Sequence, residues 1–268
     1  MAFIGGGNMA SAIIGGLIRR GLPAELIQVI EPQAEARTRL KSQFHVRTEQ
    51  SAGPHLSEAG LVIWAVKPQV FEEAALQARF HTRKALHLSV AAGIRSDSIA
   101  HWLGTERLVR AMPNTPALIG KGITGLFARA AVDTQDRQLV EQVVATTGQY
   151  LWLQEEGLLD AVTALSGSGP AYVYYFMETM VNAGVEMGLT REQSSQLAIA
   201  TFRGAAELAH GADEPLEILR QRVTSKGGTT HAAIVSMEQD NVRTLFTRAM
   251  HAARLRAREM AEEFGKNA

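Results

Sequence analysis

The sequence predicts an α/β chain in two parts: a doubly wound, mostly parallel sheet over residues 1–157, then an all-helical part over 158–268. Three observations predict it. Short apolar, β-rich runs alternate with helical stretches through the first part, the pattern of parallel βαβ units buried on both faces. A glycine-rich turn, Gly5-Gly6-Gly7-Asn8-Met9-Ala10, joins the first of these runs to the first helix. From Gly157 onward the alternation stops, and alanine, leucine and methionine recur at three- and four-residue spacing.

In chain order the expected strands are AFIG at the start, QVIE near residue 30, LVIWAV from Leu61, ALHLSVA from Ala85 and LVRAM from Leu108. ITGLFA from Ile123 and YLWL from Tyr150 add strands at the sheet edge. Between them the helices are ASAIIGGLIRRG, EARTRLKSQF, FEEAALQARF, SDSIAHWLG and DTQDRQLVEQVVATTG. The first strand starts so close to Met1 that it is expected to be very short or to lack a few native residues. No flexible linker separates the two parts, so tight packing between them is expected. The last helix carries Val242, Leu245, Phe246, Ala249, Met250, Ala253 and Met260 on one broad stripe. A small helical domain is expected to cover stripes of this length with a partner subunit, although a self-contained bundle is the other way to bury them.

Composition removes several function classes. Lysine plus arginine equals aspartate plus glutamate at 27 each, so charge supplies no reason to expect nucleic acid or an anionic membrane as partner. Cysteine is absent, which excludes disulfides, thiolate catalysis and cysteine-held metals. No His, Asp and Glu cluster has ligand spacing, so no metal is expected. The N-terminus lacks a basic region before its apolar stretch, and no run of about 18 apolar residues occurs. A soluble cytoplasmic protein is the expectation.

The glycine turn reads G-x-G-x-x-A between a strand and a helix, the context that gives this pattern meaning. Gly5 permits the tight turn, Gly7 removes a side chain that would block a pyrophosphate, and Ala10 lets helix and strand approach closely. The first-turn amides and the helix dipole then face phosphate. This predicts a Rossmann-type domain binding NAD or NADP. At the end of the second strand, Glu31 is placed to accept from the adenosine ribose and to repel a 2′-phosphate, a repulsion Arg37 could offset. A solvated turn residue is the other reading of Glu31. Three loops fall at carboxyl ends of strands, the rim where ligands bind: Ala65-Val66-Lys67-Pro68-Gln69, Ser89-Val90-Ala91-Ala92-Gly93 and Met112-Pro113-Asn114-Thr115-Pro116. Singly each could be an ordinary turn; together they form one wall of a pocket, with small residues at 91–93 for the nicotinamide ring. In the second part, Thr224-Ser225-Lys226-Gly227-Gly228-Thr229-Thr230 precedes the helical run HAAIVSMEQ. Hydroxyls and glycines at a helix N-terminus suit a small carboxylate, and taken alone they also suit a plain cap.

The segments GGGNMA, AVKPQ, VAAG, RAMPNTPA, DAVTALSGSGPAY and VTSKGGTTHAAI stand in the order and spacing of pyrroline-5-carboxylate reductases, which the chain resembles over essentially its whole length. The resemblance implies a Rossmann domain followed by an all-α dimerisation domain, a homodimer with interleaved C-terminal helices, and larger rings such as a decamer. It implies NADPH- or NADH-dependent reduction of the cyclic imine Δ1-pyrroline-5-carboxylate to L-proline. By carry-over, Ile4, Gly5, Gly6, Gly7, Asn8 and Met9 hold the pyrophosphate, and Ala65, Val66, Lys67 and Pro68 lie along the cofactor. Val90, Ala91 and Ala92 face the nicotinamide, with Met112, Pro113 and Asn114 in the same wall. Ser225, Gly228, Thr229 and Thr230 hold the substrate carboxylate, and Thr163 lies near the pocket floor made by Ser166-Gly167-Ser168-Gly169-Pro170. Lys226 replaces the proline usual in the carboxylate loop. Glu31 and the Gln50-Ser51-Ala52-Gly53 segment also depart from the family pattern on the adenosine side.

Positioning of hydride donor and ring supplies much of such a rate, and a protonated imine needs no strong acid. Thr163 is the candidate hydrogen-bond donor to the ring nitrogen. A β-hydroxyacid-type dehydrogenase is the nearest rival, but it would need an interdomain lysine, and no lysine occurs between Lys121 and Lys226. A non-catalytic NAD(P)-binding regulator is the rival from another class.

Overall fold

The structure, a computed structural model, describes residues 1–265. The chain forms two units: Met1–Ser168 together with the chain from Ala252 onward, and Gly169–His251. The first unit thus runs past the expected boundary at 157 and takes back the end of the last helix. Packing is the reason. Beyond residue 157, Val162 lies against Gly125, where a Cβ would come within 3.0 Å of its methyls, and Gly167 lies against the Met112 methyl. At the other end, Phe264 packs on the sheet's apolar core.

The strands are β1 (Ala2–Ile4), β2 (Gln28–Ile30), β3 (Arg47–Glu49), β4 (Leu61–Trp64), β5 (Leu86–Ser89), β6 (Leu108–Met112), β7 (Gly122–Ala128) and β8 (Gly148–Trp152). They form one sheet in the order β3-β2-β1-β4-β5-β6-β7-β8. Only the β6–β7 pairing is antiparallel, so the sheet is mostly parallel as expected. The crossover between β1–β2–β3 and β4–β5–β6 is the switch point of a doubly wound nucleotide-binding sheet. Strand β3, three residues at the edge, is not among the expected strands, because its Arg47-Thr48-Glu49 carries no apolar run.

Alternating side chains of each strand enter opposite apolar clusters, which is what burial of both faces requires. Phe3, Val29, Leu61, Ile63, Leu86 and Leu88 point to one face, where they meet Ile13, Ile14 and Leu17 of α1 (Asn8–Arg19) and Val140, Val143 and Val144 of α5 (Thr134–Val144). Leu40 of α2 (Ala34–Phe44) joins this face. Ile4, Ile30, Val62 and Trp64 point to the other, against Phe71, Ala75 and Ala78 of α3 (Phe71–Ala78) and Ile99, Trp102 and Leu103 of α4 (Ser96–Leu103). A short helix α6 (Leu158–Val162) follows the sheet and passes into a π-helical turn, Thr163–Gly167.

The second unit is helical: α7 (Gly169–Glu186), α8 (Arg191–His210), α9 (Leu216–Arg222), α10 (Thr229–Gln239) and the first half of α11 (Val242–Gly265). A capping box at Thr190 and Gln193 starts α8. Tyr172 and Phe176 meet Phe246 edge-on at 5.6 and 5.4 Å. Little else of this unit is covered: α7 buries only Gly184, α8 only Ser194 and Ala198, and α9 and α10 bury none. Apolar side chains such as Tyr174, Tyr175, Leu197, Ile199 and Leu208 stand exposed, Leu208 at 76%. A single chain therefore leaves this unit's apolar faces uncovered, as the long stripe of the last helix predicts.

Candidate functional site

The glycine turn is built between the ends of β1, β2 and β4. Gly5 has φ +95°, and a Cβ there would lie 2.5 Å from the Ala65 carbonyl oxygen; its N–H donates to the Ile30 carbonyl at 2.8 Å. No L-side chain suits that position. Gly7 is different. It caps α1 with ordinary extended backbone, φ −75° and ψ −168°, and nothing lies within 4 Å of where its Cβ would be. The N-terminus of α1 therefore opens onto free space with no capping side chain over it, which is a cradle for phosphate.

That cradle opens on a cavity of about 640 Å³. Of the residues expected to meet the cofactor, Ile4, Gly5, Gly6, Gly7, Glu31, Ala65, Val66 and Lys67 line it. Gln50, Ser51 and Ala52 form its wall beside β3. Asn8, Met9, Pro68, Val90, Ala91, Ala92, Met112, Pro113 and Asn114 are not among its lining residues. Val90 and Ala91 instead pack on the two apolar clusters of the sheet. Gly93 backs onto Met260 of α11, whose Cβ lies 3.0 Å from where a Cβ on Gly93 would stand. Asn114 is a bridge: its Oδ1 accepts the Ile123 N–H at 3.0 Å and its Nδ2 donates to the Ser166 carbonyl at 3.3 Å. It ties the strand-end loop to the π turn.

Glu31, at the cavity wall, accepts the Gly6 N–H and the Gln33 N–H with its carboxylate, each at 2.9 Å. Arg37 leaves the cavity altogether, donating to the carbonyls of Glu31 and Pro32 at 2.8 and 2.6 Å. Arg39, Val70, Glu73, Ala74 and Gln77 also line the cavity and belong to no motif of the sequence. The signal was present as helical spacing: 70, 73, 74 and 77 share one face, as do Ala36 and Arg39.

Thr163 lies in the π turn. Its hydroxyl donates to the Leu159 carbonyl at 2.8 Å, so what it offers to a ligand is lone pairs and not a proton. Bonding back to the residue four earlier is the ordinary habit of a helical threonine. Ser166 does the same to Val162 at 3.2 Å.

A buried ionic network sets the start of α4 against the start of α6. Arg110, in β6, pairs with Glu156 at 2.5 Å, and Glu156 also takes the Ser96 N–H at 2.6 Å and the Ser96 hydroxyl at 2.7 Å. Arg95 pairs with Asp160 at 2.9 Å. Burial pulls the Arg110 guanidinium below its ordinary pKa, and Glu156 opposes that pull. Glu156 thereby caps α4 from a distant part of the chain, since Arg95 at the cap position makes no side-chain bond to the helix.

In the helical unit, α10 begins at Thr229 behind Gly228, which supplies no capping side chain. Gly227 has φ +79°, and the Gly228 N–H donates to the Ser225 carbonyl at 3.0 Å, so Ser225–Gly228 closes as a turn. Ser225, Thr229 and Thr230 are exposed, and the first-turn amides of α10 have no side chain capping them. Thr224, in contrast, spends its hydroxyl on the Arg220 carbonyl at 2.6 Å.

Residues 156–260 match the family model described as pyrroline-5-carboxylate reductase dimerisation. A pyrroline-5-carboxylate reductase of Pseudomonas aeruginosa is 43% identical to this chain over 270 residues, covering 99% of this chain and 98% of that protein. The chain belongs to the pyrroline-5-carboxylate reductase family. Residues 1–93 match a second family model, described as NADP oxidoreductase, coenzyme F420-dependent. Two solved structures of pyrroline-5-carboxylate reductases follow the whole chain. That of Coxiella burnetii has a TM-score of 0.91 at 38% identity, with 97% of each chain covered. That of Plasmodium falciparum, with NADP bound, has a TM-score of 0.85 at 27% identity, again with 97% of each chain covered. The family's two matched regions meet the two halves of the architecture, the glycine-loop sheet and the helices. Membership also sets aside the dehydrogenase alternative, which the missing lysine already argued against. Among the described residues no helix is long and apolar enough to cross a membrane.

Proposed function

We propose that the cavity behind Gly5–Gly7 holds NAD(P)H and that Ser225, Gly228, Thr229 and Thr230 hold the carboxylate of Δ1-pyrroline-5-carboxylate, in the family's reduction of that cyclic imine to L-proline, the last step of proline biosynthesis. The observation that carries the cofactor half is the open side of Gly7. It lies at an uncapped helix N-terminus, in the one place of the loop where a side chain would stand in the phosphate's position. Bound there, the reduced nicotinamide supplies a hydride. The protein's own part is placement and charge. Backbone amides of α1 hold the pyrophosphate, and the amides at the start of α10, with the hydroxyls of Ser225 and Thr230, hold a carboxylate. Thr163, its proton committed to Leu159, accepts a hydrogen bond from the N–H of the protonated imine. The substrate thus brings its own proton, and no acid side chain is required.

The uncovered faces of α7–α11 support a homodimer through these helices, and the family resemblance extends that to a larger ring such as a decamer. The cytoplasm is the compartment we assign, in keeping with a chain that has no cysteine to oxidise.

The test is oxidation of NADPH or NADH followed at the nicotinamide absorbance with the imine as substrate. Thr230→Ala removes one charge-assisted hydrogen bond, about 1.5–3 kcal/mol, and should raise KM for the imine by tens of fold while cofactor affinity holds. Ser225→Ala should do the same more weakly. Variants that lose cofactor binding and keep a normal substrate KM would give this loop the wrong ligand. A wild-type protein that binds NAD(P)H and never turns over would make the chain a non-catalytic regulator.

A further inference from the structure

Two arginines stand in α2, the helix that follows β2, and they are committed differently. Arg37 spends its guanidinium on the carbonyls of Glu31 and Pro32 and is not part of the cavity. Arg39 lines the cavity, and among the described residues its guanidinium has no hydrogen-bond, ion-pair or ring partner. Glu31, the acid at the position where a Rossmann domain reads the ribose, has both oxygens on backbone amides: one on Gly6 of the phosphate loop, the other on Gln33. The fit around it is close. A Cβ on Gly6 would lie 2.5 Å from Leu40 Cδ1 and 3.3 Å from Glu31 Oε2.

We propose that Glu31 is a staple of the phosphate-binding loop and not its ribose reader, and that Arg39 is the specificity-determining residue that takes the 2′-phosphate, so that the chain prefers NADPH to NADH. This rests on the reading that the cavity holds the cofactor. A carboxylate oxygen that already accepts an amide proton is a weaker acceptor for a sugar hydroxyl, and a carboxylate flanked by two amide dipoles repels an approaching anion less. An uncommitted guanidinium suits phosphate in both charge and shape, since its donors form a planar fork. Gln33, Gln50 and Ser51 line the same cavity and offer neutral hydrogen bonds beside it. The other charged lining groups are Lys67 and Glu73, one of each sign, so the two together do not favour one cofactor.

The experiment uses the full-length protein and two adenosine fragments, adenosine 2′,5′-bisphosphate and AMP, titrated by calorimetry, with initial rates for NADPH and NADH beside them. Arg39→Gln should weaken the bisphosphate by tens of fold and leave AMP within about twofold, with the ratio of kcat/KM values moving toward NADH to match. Glu31→Ala should weaken both fragments together and leave their ratio where it is, and Glu31→Gln, which keeps one carbonyl acceptor, should recover part of the loss. An Arg39→Gln protein with an unchanged ratio overturns the proposal. So does a Glu31→Ala protein that gains bisphosphate affinity while losing AMP, because Glu31 would then be reading the ribose. A wild-type protein that binds neither fragment overturns the cofactor reading itself, a different result from either.

Discussion

At Gly5 the backbone has a positive φ and a Cβ would stand 2.5 Å from the Ala65 carbonyl oxygen, whereas two positions later Gly7 has ordinary extended backbone and empty space in front of it. The same residue type meets two different local geometries, a tight positive-φ turn at one position and an open helix N-terminus at the other. Substitution should separate them. Gly5→Ala should cost at least about 1–2 kcal/mol of stability from the backbone alone. Gly7→Val should still fold, at a slightly lower thermal midpoint because valine is a poorer N-cap than glycine, and should lose NAD(P)H affinity, because its side chain fills the phosphate's place. Calorimetry beside thermal unfolding checks both, and a folded Gly7→Val protein with wild-type affinity would remove this loop from the cofactor site. His87 in β5 supplies a pH effect of its own. Its Nδ1 accepts the Trp64 indole N–H at 3.0 Å, so Nε2 is the protonated nitrogen and donates to the Thr82 carbonyl at 3.2 Å. Burial pulls its pKa from 6.5 to about 4, with the bond to Thr82 opposing the shift and Arg107 adding to it. The folded state holds the ring neutral while the unfolded chain takes up a proton below 6.5. The contribution is therefore complete above that pH and is lost as pH falls toward 4, by up to about 3 kcal/mol. Denaturant midpoints across that window should fall with pH in the wild type, and less steeply in His87→Gln; equal slopes would assign the effect elsewhere.

Among the elements, α11 departs furthest from what its pattern suggests. Its stripe reads as an interface for a helical domain, yet from Ala252 the helix belongs to the sheet unit. Ala257 and Ala261 are buried, Met260 faces Gly93 and Phe264 joins the cluster beneath β4 and α4. Ending the chain at His251 should then lower the stability of the sheet unit as well as any oligomer, with apolar core newly exposed to water. A truncated protein with an unchanged thermal transition for the sheet unit would show this cover to be dispensable. The π turn at Thr163–Gly167 is the other element whose form decides chemistry. It places the Ser166 carbonyl where Asn114 can reach it and keeps Thr163 bonded to its own helix. Turns of this type concentrate at functional sites because they redirect side chains within an otherwise regular helix.

At the scale of the whole chain, sheet and helices divide the labour that the family comparison assigns to its two regions. The alternation of apolar runs and helices, the glycine turn and the switch to helical spacing near Gly157 were legible in the residues because each is a local pattern imposed by strand, turn or helix geometry. The same holds for the long stripe of α11, which announces that something must cover it. What the residues could not show is which partner each side chain takes. Glu31 takes the Gly6 and Gln33 amides on its oxygens, Arg37 caps two carbonyls while Arg39 does not, and Asn114 bridges β7 and the π turn. Glu156 caps a helix that begins sixty residues before it, a pairing invisible to any local rule. The sequence by itself determined the fold, the family and the place of the glycine turn, because periodicity and glycine geometry act over a few residues. The tertiary structure alone decided which donors and acceptors remain free for a ligand, because a hydrogen bond is claimed by whatever group the fold brings within 3 Å or so of it, wherever in the chain that group lies.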